Sequence, residues 1–126
     1  MPLVTLTVVR PKSTEFKTSV LEAVQDALVA IGVPAADRFH RVLELAHEDF
    51  RFDRSYPDVQ GARTDDFILI EVLLSAGRSV KIKKQFLSVL LDGLTQAGHD
   101  RENLMVVFKE TTWENWAFAG GRQIHV

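Results

Sequence analysis

The chain repeats itself at one fixed offset, and that repeat is the strongest constraint on its fold. Adding 66 carries Leu3 to Leu69, Leu6 to Val72, Ser13 to Ser79, Leu21 to Leu87, Leu28 to Leu94, Gly32 to Gly98 and Glu44 to Glu110, with no gap. What recurs is a whole pattern. Residues 3–9 are rich in β-branched side chains and read as a strand. Ser13 is a helix N-cap, and Phe16, Val20, Leu21, Val24, Leu28 and Ile31 follow at helical spacing. Gly32 and Pro34 stop that helix, and residues 38–45 read as a second strand. The second copy runs from Phe67–Leu74 through Ser79, a helix carrying Ile82, Phe86, Leu87, Leu90, Leu91 and Leu94, and Gly98, to a last strand at Leu104–Phe108.

Two β-α-β units make an α/β domain, whereas a solenoid needs more copies. The expected layout is one domain over 1–126, with pseudo-repeats 2–46 and 67–111 and a C-terminal hairpin over 112–126 around Gly120-Gly121. Each unit should pair its two strands in parallel with a right-handed crossover. The product is a four-stranded sheet with two helices on one face. The other face is then bare. The run Phe67-Ile68-Leu69-Ile70-Glu71-Val72-Leu73-Leu74 is apolar on both sides, as a strand covered on both faces would be. A further subunit is the most economical cover, so an oligomer is expected. The segment His47–Asp58 between the units mixes charge and aromatics around Pro57, as a short hairpin or an irregular loop.

Composition removes several function classes. The 126 residues carry a net charge of -2, which provides no global field to attract nucleic acid or an anionic membrane. The absence of cysteine excludes disulfides and thiolate chemistry and suits a cytoplasmic setting. No signal peptide or membrane-spanning run is evident. His40, His47, His99 and His125 have no metal-ligand spacing, and no phosphate loop, dinucleotide fingerprint or Ser/His/Asp set is present.

Pro2 stands at the mouth of the first strand. A methionine before so small a residue is normally removed, which would leave Pro2 with a free secondary amine. An α-amino group titrates near about 8. Burial and nearby cations disfavour its charged form and would bring it closer to neutrality, where a base can take and return a proton. With Met1 retained, the same nitrogen is a tertiary amide and no base.

These features together resemble the tautomerase superfamily. The resemblance rests on Pro2 opening a strand, the duplicated β-α-β unit, Gly77-Arg78-Ser79 at a helix start and an aromatic–Gly-Gly tail. It covers nearly the whole chain. Superfamily members use an N-terminal proline as acid or base, need no cofactor, and are in many cases trimers with facing sheets. Gly32-Val33-Pro34-Ala35-Ala36-Asp37-Arg38-Phe39 and Trp116-Ala117-Phe118 look like segments of the malonate semialdehyde decarboxylases. Those enzymes carry Arg-Pro-Arg after the third strand, where this chain has Ala76-Gly77-Arg78. Gly77-Arg78-Ser79 is closer to the oxalocrotonate tautomerases and the chloroacrylate dehalogenases.

The resemblance implies a small carboxylate substrate, Pro2 as catalytic base or acid, and Arg78 as its anchor. Arg78 is placed for this at a strand-to-helix turn, where an arginine grips a carboxylate with two hydrogen bonds. Asp37 would assist catalysis, and also fits a turn-capping aspartate. Lys12, the counterpart of Arg78, offers a second cation near Pro2. Arg38 and Arg41 are candidates for a far carboxylate, or solvated strand-edge charges. Trp116 and Phe118 would wall the site or pack an interface. The expected activity is keto–enol tautomerisation of a 2-oxo or 2-hydroxydienoate acid by a cofactor-free, metal-free homotrimer. Decarboxylation of malonate semialdehyde, dehalogenase or hydratase chemistry, and a non-catalytic binding role stand as alternatives.

Overall fold

The computed structural model describes residues 2–123. The order is β1 (Leu3–Val9), α1 (Thr14–Ala30), β2 (His40–Leu45), β3 (Ile68–Ser75), α2 (Val80–Gln96) and β4 (Leu104–Thr111). The sheet order is β2-β1-β3-β4. β1 pairs in parallel with β2, and β3 with β4, while the two units meet antiparallel through β1 and β3. The duplicated β-α-β fold with both helices on one face is thus what the chain adopts.

The 66-residue offset holds at the level of single bonds. Both helices begin and end one offset apart. Ser13 Oγ accepts from the Phe16 amide at 3.0 Å and Ser79 Oγ from the Ile82 amide at 3.2 Å, supplying orphan donors of each first turn. At the other ends Val33 N donates to Leu28 O and His99 N to Leu94 O, closing both helices over glycines at φ +101° and +90°. That region strains a side chain bearing Cβ. Lys17–Glu44 and Lys83–Glu110 are matching ion pairs between helix and strand.

Between sheet and helices lies one apolar layer. Val4, Leu6, Val8, Ile68, Ile70, Val72 and Leu74 meet Val20, Val24, Leu28, Phe86, Leu90 and Leu94. Alternation sends Thr5, Thr7, Leu69, Glu71 and Leu73 to the far face. On that face Leu43 and Met105 are 40% and 41% exposed. Arg41 donates to Thr5 Oγ1 at 3.1 Å, and Lys109 pairs with Glu71.

Residues 46–66 form an irregular loop with no strand of their own. Arg63 is buried inside it and donates to the carbonyls of Asp53 and Tyr56. Phe50 and Phe52 pack on Phe67, which is 2% exposed. In the tail, where a hairpin over 112–126 is expected, the described residues form a 3-10 turn at Trp113–Asn115 and an isolated antiparallel bridge, Ala119 to Arg122. Ile124, His125 and Val126 lie outside the described residues.

Two histidines make stability depend on pH. His99 is hydrogen-bonded to Ser19 Oγ at 2.7 Å and edge-on to Phe16, and burial holds its pKa below 6.5. His40 faces Gln25, with its pKa lowered by burial and then by Arg38. A depressed folded-state pKa means that the unfolded chain binds protons more readily, so these contributions are present above 6.5 and lost as pH falls below it. Glu44, Asp53 and Asp65, lowered chiefly by hydrogen bonds, add a second loss in the carboxylate range. The urea midpoint is therefore expected to fall between pH 7.5 and 5.5. A midpoint that stays level or rises would show that these histidines are not held neutral.

Candidate active site

Strand direction brings four segments to one end of the sheet. β1 and β2 start there, and β3 and β4 finish there. The Val4 amide donates to Phe39 O at 2.9 Å and the Ala76 amide to Thr111 O at 2.8 Å, tying the neighbouring segments together. The strand registers, Leu3 opposite Leu73 and Val4 opposite His40, continue to place Pro2 between Leu74 and Arg38. Pro2 is buried at the mouth of an interior strand, where a missing N–H is tolerated at the first position. Met1, whose removal is expected, lies outside the described residues.

Arg78 sits in the turn after β3, one residue before the N-cap Ser79. Its Nη1 donates to Ser75 O at 3.3 Å, and among the described residues no carboxylate is paired with it. A half-buried guanidinium beside the N-terminus of a 17-residue helix favours an anion. Asp37 precedes β2 in a turn closed by its amide on Pro34 O. Gln25, 1% exposed, clamps this turn from α1 by donating to the carbonyls of Ala35 and Asp37. Trp116 and Phe118 follow β4 with rings stacked at 5.6 Å and 23°.

Buried polar atoms without partners gather at this end. Among the described residues they are Asp37 Oδ1, Ser75 Oγ, Trp116 Nε1 and, in the loop far from here, Arg63 Nε. A buried donor or acceptor left unpaired costs about 1–3 kcal/mol, so three at one end of a sheet call for an explanation.

The opposite end supplies a comparison within the same molecule. Subtracting 66 takes Arg78 to Lys12, Ser75 to Val9, Trp116 to Phe50 and Phe118 to Phe52, and adding it takes Asp37 to Asn103. Lys12 Nζ donates to Val9 O at 2.7 Å, as Arg78 does to Ser75 O. There, however, each counterpart is satisfied. Lys12 pairs with Asp66, Asn103 exchanges hydrogen bonds with Thr64, Val9 is apolar, and Phe50 and Phe52 close on Phe67. A cleft of about 580 Å³ lies at this end, lined by Ser13, Phe16, Ser19, Thr64, His99 and Asn103.

The fold therefore brings Pro2, Asp37, Arg78, Trp116 and Phe118 to one end but leaves others apart. Lys12 is separated from Pro2 by the whole length of β1, about 20 Å. Arg41 points to the far face of the sheet, and Arg38 is an exposed ion pair with Glu22 on α1. Ser75, Gln25 and Arg63 escape the sequence reading. A signal for Ser75 does exist, as the one place where a serine replaces its apolar counterpart in a buried strand. Among the described residues no group of three His, Asp or Glu is placed to hold a metal ion.

A two-unit β-α-β fold with a buried proline, an arginine turn and a paired-aromatic tail at one end defines a class. The sequence pattern of the tautomerase enzyme family matches residues 37–119, and the chain belongs to that family. Among solved structures, the FG41 malonate semialdehyde decarboxylase inhibited by 3-bromopropiolate is 22% identical, with 98% of this chain and 93% of that chain covered at a TM-score of 0.88. A malonate semialdehyde decarboxylase solved in wild-type, mutant and inactivated forms is 24% identical, covering 96% and 93% at 0.85. A fused 4-OT symmetric trimer is 26% identical, covering 95% and 94% at 0.73. No curated protein sequence is significantly similar to the chain. No described helix is long and apolar enough to cross a membrane.

Proposed function

We propose that the chain is a cofactor-free enzyme that decarboxylates a small 3-oxo carboxylic acid of the malonate semialdehyde type. The observation that carries this reading is the buried, unpartnered Asp37 Oδ1 on the segment beside Pro2. A carboxylate next to an amine favours its protonated form. A cationic Pro2 is suited to decarboxylation. It donates a hydrogen bond to the 3-oxo oxygen while the bond to the carboxylate carbon breaks. Carbon dioxide leaves, the electron pair passes into the enolate, and the Pro2 ammonium returns a proton to carbon. Arg78 holds the substrate by its carboxylate and sets its orientation. Trp116 and Phe118 keep water from the enolate. The higher structural similarity to the two decarboxylases than to the fused 4-OT supports the same choice.

Keto–enol tautomerisation of a 2-oxo acid is the second reading. It is favoured by the lone Arg78 in place of an arginine pair, and it needs Pro2 neutral. In either case the site would work in a homotrimer, as in the fused 4-OT trimer, with the exposed Leu43 and Met105 face turned inward. One preparation tests these readings together: intact mass for loss of Met1, light scattering for three chain masses, and carbon dioxide release from malonate semialdehyde. Asp37→Asn is expected to lower that release by about 100-fold while ketonisation of phenylenolpyruvate changes far less. No release by the wild type, with ketonisation present, would assign the tautomerase reading instead.

A further inference from the structure

We propose that the Ser75 hydroxyl is a positioning group for the Pro2 amine, so that one residue holds both the amine and the carboxylate anchor. This rests on the reading of Pro2 as the reacting amine. Antiparallel pairing puts Leu3 opposite Leu73 and, one step on, Pro2 opposite Leu74. The Pro2 nitrogen lies at the leading end of its residue, on the side where β3 continues to Ser75. Ser75 is 1% exposed, and its Oγ has no hydrogen-bond partner. Its carbonyl meanwhile accepts from Arg78 Nη1. The residue therefore reaches the anchor through its main chain and has an idle hydroxyl one register step from the amine.

The internal repeat provides an independent control. The equivalent of Ser75 is Val9, which is 0% exposed and whose carbonyl holds Lys12 in the same way. The two positions share burial, strand end and main-chain role. They differ in the amine nearby: the Lys12 ammonium at the Val9 end is already held by the Val9 carbonyl and Asp66, whereas the main-chain amine of Pro2 is left to receive a hydroxyl. A buried serine with an unpaired hydroxyl is costly where a valine fits, and the other repeat shows that a valine fits.

A protonated secondary amine has two N–H donors, and Ser75 Oγ accepts one of them while Asp37 serves the other. Charged hydrogen bonds are stronger than neutral ones, so the hydroxyl favours the ammonium over the free amine. The other charged or titratable groups near this end include Arg78, His40 and the Arg38–Glu22, Lys83–Glu110 and Lys109–Glu71 pairs. The substitutions below leave all of them in place.

Valine and threonine have the same shape, so Ser75→Val and Ser75→Thr differ by one hydroxyl at a site where the repeat already holds valine. Ser75→Val is expected to lower kcat/KM about tenfold and to move the Pro2 limb of its pH profile down by about half a unit, the worth of one hydrogen bond. Its urea midpoint should be no lower than that of the wild type. Ser75→Thr should stay within about twofold, with the limb unmoved. Equal rates and equal pH limbs for the two variants would overturn the role of Ser75. Wild-type activity in Pro2→Ala would instead remove the amine reading and Ser75 with it.

Discussion

Replacing Pro2 by alanine is expected to lower kcat/KM for the proposed oxo-acid substrate by about 100- to 1,000-fold, the range that general acid–base groups contribute. The substitution removes neither the strand nor the terminal amine. It converts a secondary amine held in a ring into a primary amine on a freely turning residue. Orientation and basicity both change, while Arg78, Asp37 and the aromatic pair stay in place. The comparison must be made on protein whose intact mass lacks Met1, because an acylated Pro2 nitrogen can neither donate nor accept the proton. Far-ultraviolet circular dichroism and the urea midpoint should be those of the wild type. A Pro2→Ala protein with wild-type kinetics would end the proposal that the N-terminal amine does the chemistry.

The largest effect on stability is expected from Phe86→Ala. Phe86 is 0% exposed and meets Phe108 edge-on at 5.4 Å, joining α2 to β4 inside the single apolar layer. Truncation removes a large buried side chain and leaves a cavity that two packed helices cannot readily collapse. The cost is about 3–5 kcal/mol, large against the roughly 5–15 kcal/mol typical of a whole domain. Urea unfolding should show this as a lower midpoint with an unchanged slope, and the melting temperature should drop by about 10 °C. A loss under about 1 kcal/mol would mean that the layer repacks around the gap. The same protein should keep its relative pH profile, because Phe86 belongs to the apolar layer between helices and sheet and carries no group that titrates.

Much of the fold is legible in the sequence. Ser13 and Ser79 cap their helices, Gly32 and Gly98 end them, and the stripes of Leu, Val and Phe face the sheet. These are local rules: a cap is set by three neighbouring residues and a stripe by a period of 3.6. The candidate site is legible in part, for Pro2, Asp37, Arg78, Trp116 and Phe118 do share one end of the sheet. Lys12 is misplaced by the same symmetry that reveals the fold. As the counterpart of Arg78 it belongs to the equivalent turn of the other unit, and β1 and β3 run in opposite directions, so equivalent turns lie at opposite ends.

By itself, then, the sequence determined the repeat, its caps and stops, the class of sheet and the chemistry that a terminal proline offers. Tertiary structure alone decided which turn meets that proline, because the relative direction of the two units cannot be read from spacing. It also decided which polar groups remain idle. Asn103 and Asp37 occupy equivalent positions, and only three-dimensional neighbours show that Thr64 satisfies Asn103 while Asp37 Oδ1 stays open. Hydrogen bonding depends on the geometry of distant segments, and burial turns an unpaired atom into a cost. Two halves of one pattern thereby became an end whose polar groups are satisfied and an end whose polar groups are open.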